Sequence, residues 1–60
     1  MDDADLVAVV AAEYVHRQGG GALRYLRGQQ MIAEEAGDAL SAEAWGDIAD
    51  TAEAILLHAN

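Results

Sequence analysis

Residues 22–36 read ALRYLRGQQMIAEEA, and this stretch decides the fold. Its apolar and small residues recur at spacings of three and four, which is the period of one face of an α-helix. The face predicted in this way consists of Ala22, Tyr25, Leu26, Gln29, Ile32, Ala33 and Ala36. A stripe of this width has to be covered, so we expect an apolar helix to pack on each side of it.

Glycine residues bound this stretch on both sides. Gly19, Gly20 and Gly21 precede it, and Gly37 follows it. Glycine is typical of helix ends, because it reaches the left-handed conformation without steric strain. The pattern predicts an all-α fold, a compact three-helix bundle with helices at about residues 4–18, 22–36 and 42–58. We interpret residues 1–60 as a single helical domain.

The helix starts are predicted from residues that suit the N-cap position. Asp2 or Asp3 is expected to cap the first helix. For the third helix both Asp38 and Ser41 qualify, and we choose Ser41 because an acidic residue then follows in the first turn. In that interpretation Leu40 belongs to the connecting loop and folds back onto the core.

The inward faces of the outer helices follow from the same periodicity. Tyr14, Tyr25 and Trp45 are interpreted as core anchors of an alanine-rich bundle. The inward residues of the first and third helices are predicted to be Leu6, Val7, Val10, Ala11, Tyr14, Gln18, Ala44, Trp45, Ile48, Ala49, Ala52, Ile55, Leu56 and Ala59. Gln29 lies within the apolar stripe of the second helix, where it is either a locally bonded amide, which we favour, or a polar register position in a dimer seam.

The composition is acidic and lacks cysteine. The 60 residues include 3 basic and 11 acidic side chains, for a net charge of −8. Disulfides are excluded, and binding to nucleic acid or to an anionic membrane is not expected from so few cations. The longest apolar run, residues 6–12, is too short to cross a bilayer, and acidic residues stand where a signal peptide is basic. We therefore expect a cytoplasmic, soluble protein.

Two groups of polar residues suggest chemistry. Glu13 and His16 have the spacing of a carboxylate–imidazole pair in a di-iron bundle, but the neighbouring Arg17 disfavours a metal, so we favour a solvated face. Arg17, Arg24 and Arg27 surround the glycine turn and the start of the second helix, where they form either an anion site or, as we favour, ion pairs with acidic side chains.

The sequence does not indicate an enzyme. It contains one serine and one threonine, and neither has a histidine near it in sequence. The run from Gly19 to Gly21 lacks the preceding strand and the Gly-Lys-Ser/Thr ending of a phosphate-binding loop. We predict no catalytic residues, no cofactor, no metal and no small-molecule substrate.

Apolar residues outside the three inward stripes predict contact with another protein. These residues are Val9, Val15, Leu23, Met31 and Leu57. If they lie together they mark a contact patch, and our leading interpretation is a protein–protein interaction module that forms a homodimer. The alternative is an acidic antagonist or regulator that binds a basic groove on a partner protein. Its binding face would consist of Glu43, Asp47, Asp50 and Glu53.

Three short motifs between residues 22 and 49 also support a helical fold. They are A-x-x-[FY]-[VL], A-G-D and W-x-x-I-A, which match Ala22, Tyr25, Leu26, Ala36, Gly37, Asp38, Trp45, Ile48 and Ala49. In these motifs the chain resembles a family of short bacterial helical proteins known only as a domain of unknown function. The family tends to have polar residues where this chain has its three glycines. The resemblance implies the order helix, glycine turn, helix, A-G-D turn, helix, and implies no activity.

Overall fold

Three α-helices follow one another along the chain. The computed structural model describes the backbone of residues 3–58 and the side chains of residues 5–58. Helix α1 spans Asp3–Gln18, α2 spans Gly21–Glu35 and α3 spans Ala39–His58, with no strand in this part of the chain. The prediction of an all-α three-helix bundle is confirmed. The predicted caps Asp2 and Asp3 and the predicted inward Ala59 fall outside the described side chains.

The first two helices end at glycines in the left-handed conformation. Gly19 has φ of +57° and its N–H donates to the Val15 carbonyl at 2.8 Å. Gly37 has φ of +75°, and the N–H groups of Gly37 and Asp38 donate to the carbonyls of Glu34 and Ala33 at 3.1 and 2.9 Å. This pair of bonds is the Schellman motif, which satisfies carbonyls that the helix leaves free.

The third helix begins earlier than predicted. Asp38 is its N-cap, since its Oδ1 accepts a hydrogen bond from the Ser41 backbone N–H at 3.1 Å. The prediction of Ser41 as the cap was therefore wrong. Asp38 directly follows Gly37, so its carboxylate can accept a hydrogen bond from a free N–H group in the first turn of α3. No loop is needed between the end of α2 and the start of α3. As a consequence Leu40 lies in the first turn of α3 and is 82% exposed, so the expectation that it folds onto the core was also wrong.

Helix α3 is the centre of the packing. It contacts both α1 and α2, whereas α1 and α2 contact each other least. Arg27 reaches Asp50, and Gln30 lies against Gly46, so the two helices run antiparallel. The Cα atoms extend over 36 × 27 × 16 Å, a flattened shape. The gap between α1 and α2 leaves part of the inward face of α2 open.

The core is built almost entirely from alanine. The buried hydrophobic side chains are Ala11, Ala22, Leu26, Ala33, Ala42, Ala49 and Ala52. Leu26 is the single large side chain among them that is fully buried. Partly buried residues packed against this core include Tyr14, Val15, Leu23, Trp45, Ile48 and Ile55.

Several predicted inward residues are exposed instead. Ile32 is 60% exposed, Leu6 is 51% exposed and Tyr25 is 42% exposed, while Ala44 lies on the outer side of α3. The stripe of α2 is wider than the surface that α3 covers, and α1 makes little contact with it. Ala44 is exposed because the buried face of α3 is centred on Ala42, Gly46, Ala49 and Ala52.

Candidate interaction surface

Three aromatic rings, one from each helix, meet in a single cluster. Tyr14 stacks on Tyr25 with ring centroids 5.5 Å apart, and Trp45 meets these two rings edge-on at 6.5 and 6.4 Å. Such aromatic pairs each contribute about 0.5–1.5 kcal/mol beyond the burial of their area. The three rings join α1, α2 and α3, as expected for core anchors. Tyr25 nevertheless keeps 42% of its surface exposed, so the cluster reaches the outside.

The exposed part of α2 forms a continuous surface. Tyr25, Gly28 and Ile32 follow one another at spacings of three and four, and Met31 lies beside them, so the four residues share one side of the helix. Met31 and Ile32 are both 60% exposed, and Gly28 is half-buried. We call these four residues the α2 face.

The five predicted interface residues divide into two groups. Val9, Met31 and Leu57 are 60%, 60% and 72% exposed, as a contact residue requires. Val15 and Leu23 are partly buried and pack against the core, so the interpretation of these two as leftover surface was wrong. Both residues lie at the edge of a predicted stripe. The small alanine side chains of the core let the helices approach closely, so the neighbouring helices cover these edge positions as well.

The exposed members of that set also do not share a helix. Val9 lies on α1, Met31 near the end of α2 and Leu57 near the end of α3. Since α2 and α3 are antiparallel, Met31 and Leu57 lie toward opposite ends of the bundle. Sequence reasoning missed Tyr25 and Ile32 as surface residues because their spacing is that of a buried stripe, and no local signal shows how little α1 contacts α2.

The predicted acidic face is partly occupied within the chain. Arg27 Nη2 lies 2.8 Å from Asp50 Oδ1 and 3.9 Å from Glu53 Oε2, which links α2 to α3. Glu43 and Asp47 are exposed. Two of the four predicted carboxylates therefore face Arg27 of the same chain. Only Glu43 and Asp47 are left to form a uniformly negative surface.

The arginines do not converge on one site. Arg17 Nε lies 2.9 Å from Glu13 Oε1 one turn earlier on α1, and Arg27 faces α3. Arg24 is exposed on α2. This arrangement matches the favoured interpretation of ion pairs for Arg17 and Arg27. Glu13, which with His16 has the spacing of a carboxylate–imidazole pair, has its carboxylate on that arginine. No group of three His, Cys, Asp or Glu side chains within the described residues is placed to hold a metal ion.

A shallow depression of about 480 Å³ runs along α1. Its lining residues are Val9, Val10, Glu13, Tyr14, Arg17 and Gln18. All of them belong to one helix, so the depression is an open groove beside the aromatic cluster. The ion pair between Glu13 and Arg17 crosses it, which leaves its charged groups paired with each other.

The serine and the threonine of the chain make local helix contacts. Thr51 Oγ1 donates to the Asp47 carbonyl at 2.9 Å, one turn earlier on α3. The Ser41 hydroxyl bonds the Asp38 carboxylate at the helix start. Both hydroxyls are thus involved in the geometry of α3, and the structure brings neither of them to the α2 face.

Comparisons with known proteins found no relative of this chain, so its function has to be inferred from the fold and the exposed surface. No family model matches the chain, no curated protein matches it, and no solved structure matches it. The resemblance to a family of short bacterial proteins stays a prediction. Among the helices formed by residues 3–58, none has both the length and the apolar character needed to span a membrane. The predicted compartment also stays a prediction.

Proposed function

We propose that this protein is a small acidic interaction module that associates with itself through exposed apolar surface, as a symmetric dimer. One observation carries the proposal: the buried core is alanine apart from Leu26, while seven large apolar side chains are exposed. Those that remain exposed are Leu6, Val9, Tyr25, Met31, Ile32, Leu40 and Leu57. Single exposed apolar residues are ordinary on a monomer, but of the large apolar side chains that remain in the described part of the chain only Leu26 is fully buried.

The total surface supports the same interpretation. The accessible surface is 4232 Å², whereas a folded monomer of 6.3 kDa is expected to expose roughly 3,700 Å². The difference is on the order of 500 Å². About 55–60% of a protein surface is apolar, so burying surface of this size removes roughly 300 Å² of apolar area from water. At about 25 cal/mol per Å² this contributes on the order of 7 kcal/mol before the costs of association are subtracted. Association would therefore remove from water a substantial apolar area that the small core of one chain leaves exposed.

Sedimentation equilibrium tests the proposal directly. The protein is examined from about 1 µM to 1 mM, a range that covers dissociation constants worth about −8 to −4 kcal/mol. We expect the mass to rise from that of one chain to that of two across this range. A single-chain mass throughout, with helical circular dichroism retained, would remove self-association as the function.

The second candidate function is the binding of a basic partner. It is favoured by Glu43 and Asp47, which lie one turn apart and are both exposed on α3. No ion pair among the described residues involves either of them. Attraction between opposite charges weakens as salt rises, because the Debye length falls to about 8 Å at physiological ionic strength. Binding of a polyarginine peptide that is abolished by Glu43→Gln and Asp47→Asn would support this candidate, and binding unaffected by both changes would contradict it.

A further inference from the structure

We propose that the α2 face is where a second copy of this chain docks, with the two α2 helices antiparallel and crossing at Gly28. This inference rests on the proposed self-association and specifies its surface and geometry. The occupant is the chain itself, because three separate features of α2 suit a symmetric contact: a glycine that the monomer does not need, a reversal of charge along the helix, and the apolar surface on both sides of the glycine.

The first feature is Gly28. Glycine inside a helix costs about 1 kcal/mol relative to alanine, so its presence there needs a reason. The fold of one chain does not supply that reason, because a Cβ added at Gly28 would meet no atom within 4 Å. Gly46 shows the contrast, since a Cβ there would lie 3.0 Å from the Gln30 amide nitrogen. The missing side chain at Gly28 lets another backbone approach closely from outside.

The second feature is the charge of α2. Two arginines and two glutamates give this helix no net charge, whereas α1 and α3 are both acidic. Two copies that each carry a net charge of −8 repel, so contact is favoured where neither presents an excess of acid. Arg27 is held by Asp50 of α3, so the arginine available to a second copy is Arg24 in the first half of α2, and the glutamates lie in the last turn of the helix. Antiparallel pairing places the basic half of each helix against the acidic half of the other, whereas parallel pairing places like charges together.

The third feature is the apolar surface that surrounds the crossing point. Tyr25 lies one turn before Gly28, and Ile32 lies one turn after it. In a two-fold arrangement Tyr25 of each copy approaches Ile32 of the other, and Met31 packs beside them. Arg24 and Glu35, which are exposed at the two ends, then lie at the rim of the contact.

The area requirement sets the extent of the contact. A standard interface buries about 800 Å² on each partner, which is about one fifth of the 4232 Å² that this chain exposes. Helix α2 has 15 residues and is about 22 Å long. The contact must therefore use most of the length of α2 together with exposed side chains outside it.

Dissociation constants from sedimentation equilibrium test the inference with two pairs of variants. Ile32→Ser is compared with Leu40→Ser, which removes an apolar side chain that is 82% exposed on α3 and is not part of the α2 face. Gly28→Gln adds a helix-favouring side chain at the crossing point. Thermal unfolding of this variant and of the original chain, both at a concentration below the dissociation constant of the dimer, checks the monomer. We expect Ile32→Ser and Gly28→Gln to weaken the dimer at least tenfold, Leu40→Ser to leave it within about twofold, and Gly28→Gln to unfold at a temperature no lower than the original chain.

A charge exchange tests the antiparallel arrangement. Arg24→Glu alone is expected to weaken the dimer, and Arg24→Glu combined with Glu35→Arg is expected to restore it at an unchanged net charge. If the original chain dimerises but Ile32→Ser and Gly28→Gln dimerise equally well, the α2 face is overturned and the proposed function stands. If the original chain is a monomer at 1 mM, both are overturned.

Discussion

At the scale of single residues, Asp38 decides where α3 begins. Hydrogen bonds from the Ser41 hydroxyl and the Ser41 backbone N–H hold the pKa of the Asp38 carboxyl below its ordinary value of 3.8. A group whose pKa is lower in the folded state stabilises the fold above the unfolded pKa, and this contribution is lost as the pH falls through the folded pKa. We expect Asp38→Ala to lower the melting temperature at pH 7 and to have a smaller effect below pH 3.

The matched control for this prediction is Asp38→Asn. Asparagine is an N-cap of similar quality and does not ionise in this range. Its melting temperature at pH 7 should stay closer to that of the original chain than does that of Asp38→Ala. Equal losses for the two variants at pH 7 would show that the cap bond to Ser41 does not position the start of α3.

Gly46 decides how closely α2 and α3 approach. A Cβ at this position would lie 3.0 Å from Gln30 Nε2 and 3.3 Å from Gln30 Cδ, and the same amide accepts a hydrogen bond from Arg27 at 3.1 Å. The usual gain of about 1 kcal/mol for glycine to alanine in a helix is therefore opposed by displacement of Gln30. We expect Gly46→Ala to stabilise the chain more in a Gln30→Ala background than alone, as measured by urea unfolding. An identical effect in both backgrounds would contradict the close contact.

At the scale of the elements, the turn between α1 and α2 contains three glycines of which only one requires glycine. Gly19 has φ of +57°, whereas Gly21 begins α2 with open space around it. An L-residue in the left-handed region costs about 1–2 kcal/mol. We expect Gly19→Ala to lower the free energy of unfolding by about 1 kcal/mol and Gly21→Ala to raise it slightly, both in chemical denaturation. Equal effects of the two changes would mean that the turn is not held in this conformation.

The helices themselves could be predicted from the sequence, and their exposed faces could not. Gly19 and Gly37 mark helix ends through a local conformational requirement, so both ends were found to within a residue. The exposure of Ile32 depends on the angle between α1 and α2, which no residue near Ile32 determines. The pairing of Arg27 with Asp50 depends in the same way on the register between α2 and α3, and the sequence offered several acidic residues as partners.

At the scale of the whole molecule, a thin core and a large net charge act against each other. Leu26 is the single large side chain fully buried among the residues described, so one chain has little apolar burial to offset the cost of ordering. Association adds burial but brings two chains of charge −8 together. The balance between these two effects depends on ionic strength, since salt screens the repulsion and leaves apolar burial almost unchanged.

Self-association should therefore strengthen as salt is added. Between about 10 and 150 mM salt the Debye length falls from about 30 to 8 Å, less than the thickness of the molecule, and we expect the dissociation constant of the dimer to fall roughly tenfold. Equilibrium sedimentation at a series of salt concentrations, all at the same pH, measures the dissociation constant of the dimer directly. Salt also weakens the attraction between Arg24 of one copy and Glu35 of the other. This loss is small, because exposed ion pairs contribute only about 0–1 kcal/mol. A dimer that dissociates as salt rises would mean that attraction between charges, and not the α2 face, holds the copies together.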